Sequence, residues 1–272
     1  MEALINACIL GIVEGLTEFL PISSTGHLIV TASLMSMSGE DIKAFIVVIQ
    51  LGAILAVCWD KRSRLLDTLV NVKKDPRSRN FLINVVMAFL PTAIIALLLH
   101  DTVKSFFFSP ITVALMLVIG GIAILLLENR QGTPSVNTLD EVHWSQAIKI
   151  GLIQALAIFP GVSRSGATIL GGMYVGLSRT AATEFSFFLA IPVMIAATGY
   201  DLIKNTILFR PEIAATVLVG FITSFVFGLA TVRALTYYVS RNSFKPFGYY
   251  RILAGLTILF SWEAGILDWT DL

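Results

Sequence analysis

Hydrophobic residues along this chain gather into blocks at about 44–59, 81–99, 111–127, 181–203, 213–232 and 249–267. Each block is near the length at which an α-helix crosses about 30 Å of hydrocarbon, so the pattern predicts six spanning helices, the first of them short. Two further apolar stretches, near 3–35 and 147–177, are interrupted in the middle. Pro21 and the cluster Ser23, Ser24, Thr25, Gly26 break the first; Pro160, Gly161 and the loop Ser163, Arg164, Ser165, Gly166 break the second. Proline removes a helical donor and clashes with the preceding turn, so each stretch is expected to split into two half-helices forming a re-entrant hairpin. Irregular backbone at membrane depth is tolerated only where it lines a protein-buried or watery cavity, which places both loops against a ligand site.

Composition agrees with the pattern. Hydrophobic residues make up 56% of 272 residues and charged residues 14%, where a soluble domain is roughly a quarter charged. The chain reads as an all-α polytopic membrane protein forming one integral membrane domain over 1–272. A net charge of +1 argues against nucleic acid as a partner, because such binders concentrate basic residues against phosphates. Cys8 and Cys58 lie in apolar runs and read as small buried hydrophobes. The first sixteen residues lack the basic flank of a signal peptide and are expected to be mature structure.

Basic residues set the orientation. The connection near 60–80 holds Lys61, Arg62, Arg64, Lys73, Lys74, Arg77 and Arg79, whereas the next, near 100–110, holds only Lys104. The first should therefore face the cytoplasm. Carried through six spans, this choice also puts Arg130, Lys149, Arg241 and Lys245 inside. Lys43, Lys104, Lys204 and Arg210 fall outside, with both termini. Each half then contains one hairpin and three spans. Three is odd, so the second half enters from the opposite side: an inverted-topology repeat of approximately 1–130 and 147–272. At an offset of about 140 residues Gly11 pairs with Gly151, Phe19 with Phe159, Ser23 with Ser163, Gly26 with Gly166 and Phe45 with Phe185. In such folds the broken elements meet near the midplane, with half-helix N-termini aimed at an anion.

The polar groups inside these stretches are the candidate chemistry. Glu14 and Glu18 are one helical turn apart, and two like charges there require a proton or a cation between them. Oxygen-only ligation suits Mg²⁺ or Ca²⁺, with substrate phosphates completing the shell. Ser23, Ser24, Thr25 and Gly26 open a half-helix whose free backbone donors attract an anion. Ser163, Arg164, Ser165, Gly166 and Thr168 repeat that arrangement and add a guanidinium able to grip phosphate with two parallel bonds. His27 can serve as acid, base or nucleophile near neutral pH. His100 and His143 fall in connections and are expected to be solvated. Glu184 is a candidate to orient Arg164, and Gln50 and Gln154 are further supporting polar positions.

The segments EGLTEFLPISSTGH (14–27) and PGVSRSGAT (160–168) resemble the two signature motifs of the undecaprenyl-diphosphatase family, the bacitracin-resistance proteins of bacterial inner membranes, and the likeness extends over nearly the whole chain. The resemblance implies hydrolysis of undecaprenyl diphosphate to undecaprenyl phosphate and inorganic phosphate, which recycles the lipid carrier of cell-wall synthesis. It carries the family's acidic residues onto Glu14 and Glu18, its hydroxyl and His positions onto Ser24, Thr25 and His27, and its Arg loop onto Ser163, Arg164, Ser165 and Thr168. It also implies a polyprenyl diphosphate and membrane lipids as partners, a bacterial inner-membrane location and a site open to the periplasmic side. A homodimer is left open.

On this reading Glu14 and Glu18 hold the cation, and Arg164 with the two helix N-termini neutralises the transferred group. Ser24 is the preferred nucleophile with His27 as its base, while attack by His27 or by water stays open. The rival class is a secondary transporter or lipid flippase using the same anion site, because inverted repeats with broken helices are common in transporters.

Overall fold

The computed structural model describes residues 1–35, 37, 40–107, 109–130, 132–204 and 213–265. Among these residues the chain is helical, and the sole extended pairing is a bridge between Val136 and Leu177. The helices are α1 (Glu2–Thr17), α2 (Ser24–Leu34), α3 (Glu40–Asp60), α4 (Arg62–Asn71), α5 (Pro76–Phe107), α6 (Pro110–Arg130), α7 (Trp144–Gln154), α8 (Arg164–Tyr174), α9 (Arg179–Lys204), α10 (Ala214–Val239) and α11 (Lys245–Glu263). Both interrupted stretches break at the expected prolines. One 3₁₀ turn, Ala155–Ile158, precedes the second break. The breaks turn on left-handed backbone, φ +71° at Ser23 and +92° at Gly161.

Among the described residues four helical stretches are long and apolar enough to cross a membrane: Pro76–Leu99, Ile111–Arg130, Arg179–Tyr200 and Ala214–Val239. They coincide with four of the six expected blocks and make this an integral membrane protein. The block at 44–59 falls in α3, whose apolar stretch Phe45–Asp60 is shorter. The block at 249–267 becomes α11 as far as Glu263, and its last residues, 266 and 267, lie outside the described residues. Pro91 and Pro192 sit inside α5 and α9 without ending them.

Lipid tails are as apolar as leucine, so helices in a membrane are held together mainly by close backbone approach and polar contacts. The two hairpins follow that rule on different partners. α1 packs on α10, where a Cβ on Gly15 would lie 2.6 Å from Ser224 O and 2.7 Å from Gly228 N. α7 packs on α5, where a Cβ on Gly151 would lie 2.1 Å from Ala88 O. α6 and α11 pair with each other, and α3 lies against α9 and α10. Phe19, Phe185 and Phe187 are fully buried behind the hairpins, with Phe19 edge-on to Phe187 at 5.8 Å.

At one end of the bundle Arg64 pairs with Asp140, and Asp60 accepts from Arg233 at 3.0 Å and meets Lys61 at 3.2 Å. These contacts gather segments that the charge pattern assigns to one face. Of the opposite face, the side chains of Lys43, Lys104 and Lys204, like that of His100, and the whole of Arg210 lie outside the described residues. His143 is exposed, and its ring caps α7 by accepting from Ser145 N at 3.3 Å. The start of α11 is set by Glu128 of α6. Its carboxylate takes two bonds from Arg179, at 2.9 and 2.5 Å, and one from Phe244 N at 2.7 Å. That anchor aims Tyr250 and Arg251 at the hairpin breaks.

Candidate active site

Helix α1 delivers Glu14 and, at its C-terminal end, Glu18, both buried. Glu18 is the junction of the site. Its Oε2 accepts from Ser24 Oγ at 2.5 Å, and its Oε1 accepts from Arg164 Nη2 at 2.8 Å. Ser24 opens α2 and Arg164 opens α8, so one carboxylate joins the first turns of two half-helices that lie far apart in sequence. Ser165 Oγ ties the loops again by donating to Leu20 O at 2.8 Å. Because that bond uses the Ser165 proton, Ser163 Oγ is the donor in the 2.9 Å contact with Ser165, and it accepts from Gly166 N at 3.0 Å as the cap of α8. Two helix N-termini, with their outward donors and positive dipole ends, thus flank one buried ion pair.

Arg164 is also held by α9, through Ser186 O at 3.2 Å and Met194 Sδ at 3.7 Å. Glu184, expected to orient Arg164, is not among its partners. Helix α9 supports the guanidinium through a main-chain carbonyl and a thioether, not through a carboxylate.

The expected Ser24–His27 hydrogen bond is not formed. His27 Nδ1 lies 2.7 Å from Ser23 O and Nε2 lies 2.6 Å from Tyr250 OH. A carbonyl only accepts, so Nδ1 carries the proton, and in the neutral ring Nε2 accepts from Tyr250. The rings stack at 5.6 Å, 10° from parallel. Of the remaining loop positions, Ser23 is buried as the residue before α2, Thr25 is half-buried in its first turn, and Gly26 packs against Val113.

Thr168 and Gln154 are both fully buried. Thr168 Oγ1 lies 2.8 Å from Arg164 O and 3.0 Å from Gln154 Oε1, and Gln154 Nε2 donates to Thr92 Oγ1 at 2.8 Å. They form a strut from α8 through α7 to α5, behind the loop instead of at its mouth. Gln50 is half-buried on α3 and takes no part in the bonds that join these residues.

Glu14 is completely buried, its carboxylate oxygens make no hydrogen bond to a neutral donor, and the Glu18 carboxylate lies close enough to share a proton with it, with Arg164 the other charge acting on it. Two buried carboxylates side by side need either a shared proton or a cation, and a divalent ion would satisfy both. Among the described residues no group of three acidic, His or Cys side chains gathers to hold one, so the donor set fits a hard cation only if substrate oxygens complete its shell.

Sequence reasoning passed over Tyr250, Arg251, Ser186 and the Glu128–Arg179 pair. Arg251 carried a readable signal, being a cation inside the apolar block 249–267. Ser186 carried none, since a backbone carbonyl is recruited by packing alone. A mostly apolar groove of about 920 Å³ lies between α6, α7 and α8, lined by Met116, Ile153 and Leu170 and, on its polar side, by Ser163, Gly166 and Arg251, with Gly120 beside them.

Comparison with known proteins gives a consistent result. A family model described as bacitracin resistance protein BacA matches residues 7–257. A protein of Pseudomonas syringae pv. syringae (strain B728a) named undecaprenyl-diphosphatase is 49% identical over 266 residues, covering 98% of this chain and 96% of the relative. One of the same name from Pseudomonas syringae pv. tomato is 50% identical with the same coverage. Undecaprenyl-diphosphatase 2 of Rhodospirillum rubrum is 49% identical over 268 residues, 98% of each chain.

Proposed function

We infer that this chain, which belongs to the bacitracin resistance protein BacA family and whose relatives are named undecaprenyl-diphosphatases, hydrolyses undecaprenyl diphosphate to undecaprenyl phosphate and inorganic phosphate. Recycling the lipid carrier in this way sustains peptidoglycan synthesis and underlies bacitracin resistance. The carrying observation is the chain Ser24–Glu18–Arg164, which places a hydroxyl, a proton acceptor and a guanidinium between two helix N-termini.

That geometry supports a two-step transfer. Ser24 Oγ attacks the terminal phosphorus and passes its proton to Glu18 Oε2, and the bond from phosphorus to the bridging oxygen breaks, releasing the lipid monophosphate. Water then attacks the phosphoserine phosphorus, the bond from phosphorus to Oγ breaks, and Glu18 returns its proton to Oγ, so that inorganic phosphate leaves and Ser24 and Glu18 are both restored. Arg164 and the first turns of α2 and α8 neutralise the charge that spreads over the transferred group, which is most of what phosphoryl transfer asks of a protein. The apolar groove bordered by Ser163 and Gly166 suits the prenyl chain. Purified protein in detergent should release phosphate from a prenyl diphosphate. Movement of lipid phosphate between leaflets with no release would replace this reading by the transporter or flippase one.

Glu14, with Glu18 beside it, is the place for Mg²⁺ or Ca²⁺. The ion would supply further neutralisation of the diphosphate. Chelation should abolish turnover and either cation should restore it. Glu14→Gln should raise the cation concentration needed for half-maximal activity by about tenfold, because one charged ligand is lost. Full activity in chelator would remove the cation.

The finer architecture proposed is six spans plus two re-entrant hairpins in an inverted repeat, in the bacterial inner membrane, with the site open to the periplasm. Its support is that the hairpin helices α1 and α7 pack on α10 and α5, each in the opposite half of the chain. Single cysteines replacing Lys74 and Ser109, in a background lacking Cys8 and Cys58, should label from opposite sides, Ser109 from outside. Labelling of both from one side would overturn the topology.

A further inference from the structure

Arg251 of α11 is 2% exposed, and every partner of its guanidinium is a backbone carbonyl. Nη1 donates to Pro21 O at 3.1 Å. Nη2 donates to Gly161 O at 3.1 Å and to Met116 O at 3.0 Å, and Nε donates to Leu117 O at 3.2 Å. Pro21 and Gly161 are the break points of the two hairpins, so one buried cation holds both. A carbonyl at a break has lost its helical donor, and in hydrocarbon it must find another. A planar guanidinium with five donors on three nitrogens can span these four carbonyls at once, whereas a lysine has three donors on a single nitrogen.

Room for this group is made by α6. A Cβ on Gly120 would lie 2.2 Å from Arg251 Nη2 and 2.7 Å from Cζ. The glycine is therefore part of the same device.

We infer that Arg251, seated on Gly120, is a positioning residue that clamps the two hairpin breaks together and thereby sets the distance between Ser24 and Arg164. This rests on the diphosphatase reading for its kinetic consequence only. Pro21 lies three residues before Ser24 and Gly161 three before Arg164, so a shift at either carbonyl is passed to the first turn of α2 or α8. Misplacement of reacting groups by about 1 Å costs on the order of 100-fold in rate; because Gly120 and Arg251 also line the apolar groove, the clamp is read from kcat and from the two loops themselves, not from an unchanged KM.

The test uses the full-length protein in detergent, with Arg251→Lys, Gly120→Ala and the double variant. Gly120→Ala keeps the arginine and favours helix in α6, yet its methyl group displaces the guanidinium. Both single variants should lose roughly 100-fold in kcat at saturating substrate, whatever change in KM the altered groove brings, and the double variant should lose no more than either. Amide exchange should quicken in peptides 19–27 and 159–168 together, although they are remote in sequence. A kcat above half of wild type in either folded variant, strictly multiplying losses, or faster exchange confined to α11 would overturn the clamp. Should Arg251→Lys fail to fold, Gly120→Ala decides alone; should neither accumulate, Arg251 is a structural anchor and the proposal falls. A wild-type protein that released no phosphate would refute the diphosphatase reading, while the exchange measurement would still judge the clamp.

Discussion

Arg164→Lys is expected to cut phosphate release by about two to three orders of magnitude in a protein that still folds. The guanidinium spans Glu18 Oε1 at 2.8 Å, Ser186 O at 3.2 Å and Met194 Sδ at 3.7 Å, and it faces the ground between two helix N-termini. An ammonium keeps the charge but has no rigid fork, so it cannot hold Glu18 and a phosphoryl oxygen in one plane. Removing one partner of a buried ion pair costs about 3–5 kcal/mol when the other charge is left uncompensated; Lys avoids that extreme, which is why it is preferred to Ala as the test. Phosphate release together with a helical circular-dichroism melt checks the result. A folded Lys variant turning over at near the wild-type rate would take Arg164 out of catalysis.

Ser24→Ala should abolish turnover, by about a thousandfold or more, while prenyl diphosphate still binds. Arg164, Glu14 and the backbone donors of both helices stay in place, so ground-state binding survives while the bond-making group is gone. The 2.5 Å bond from Ser24 Oγ to Glu18 Oε2 makes the carboxylate the proton acceptor, whereas His27 Nε2 is turned to Tyr250. Glu18→Gln should therefore be nearly as damaging as Ser24→Ala, and the two losses should be far from additive. Rapid quenching with labelled substrate separates the routes. Label on a serine of the 19–27 peptide supports attack by Ser24, acid-labile label on His27 points to that ring, and no covalent species at all points to water.

Much of the site was legible because its chemistry is local in sequence. Glu14 and Glu18 share a helix face by spacing alone, and the two small polar loops announce themselves as breaks in apolar stretches. What was not legible is who meets whom. His27 stands three residues from Ser24, which invites a pair, yet the left-handed backbone at Ser23 turns its carbonyl to the ring and α11 brings Tyr250 to the far nitrogen. Thr168 looked like a ligand group and is instead a fully buried strut to Gln154.

The amino-acid sequence alone determined the membrane class, the two hairpin breaks and the identity of the charged groups, because hydrophobic block length and proline chemistry act over a few residues. Tertiary structure alone decided that Glu18 is shared between Ser24 and Arg164, that Ser186 supports Arg164 where Glu184 was expected, and that Arg251 reaches Pro21 and Gly161 at once. Those pairings depend on how closely glycine-lined helices approach across the bundle, a long-range packing property for which a single residue pattern carries no local signal.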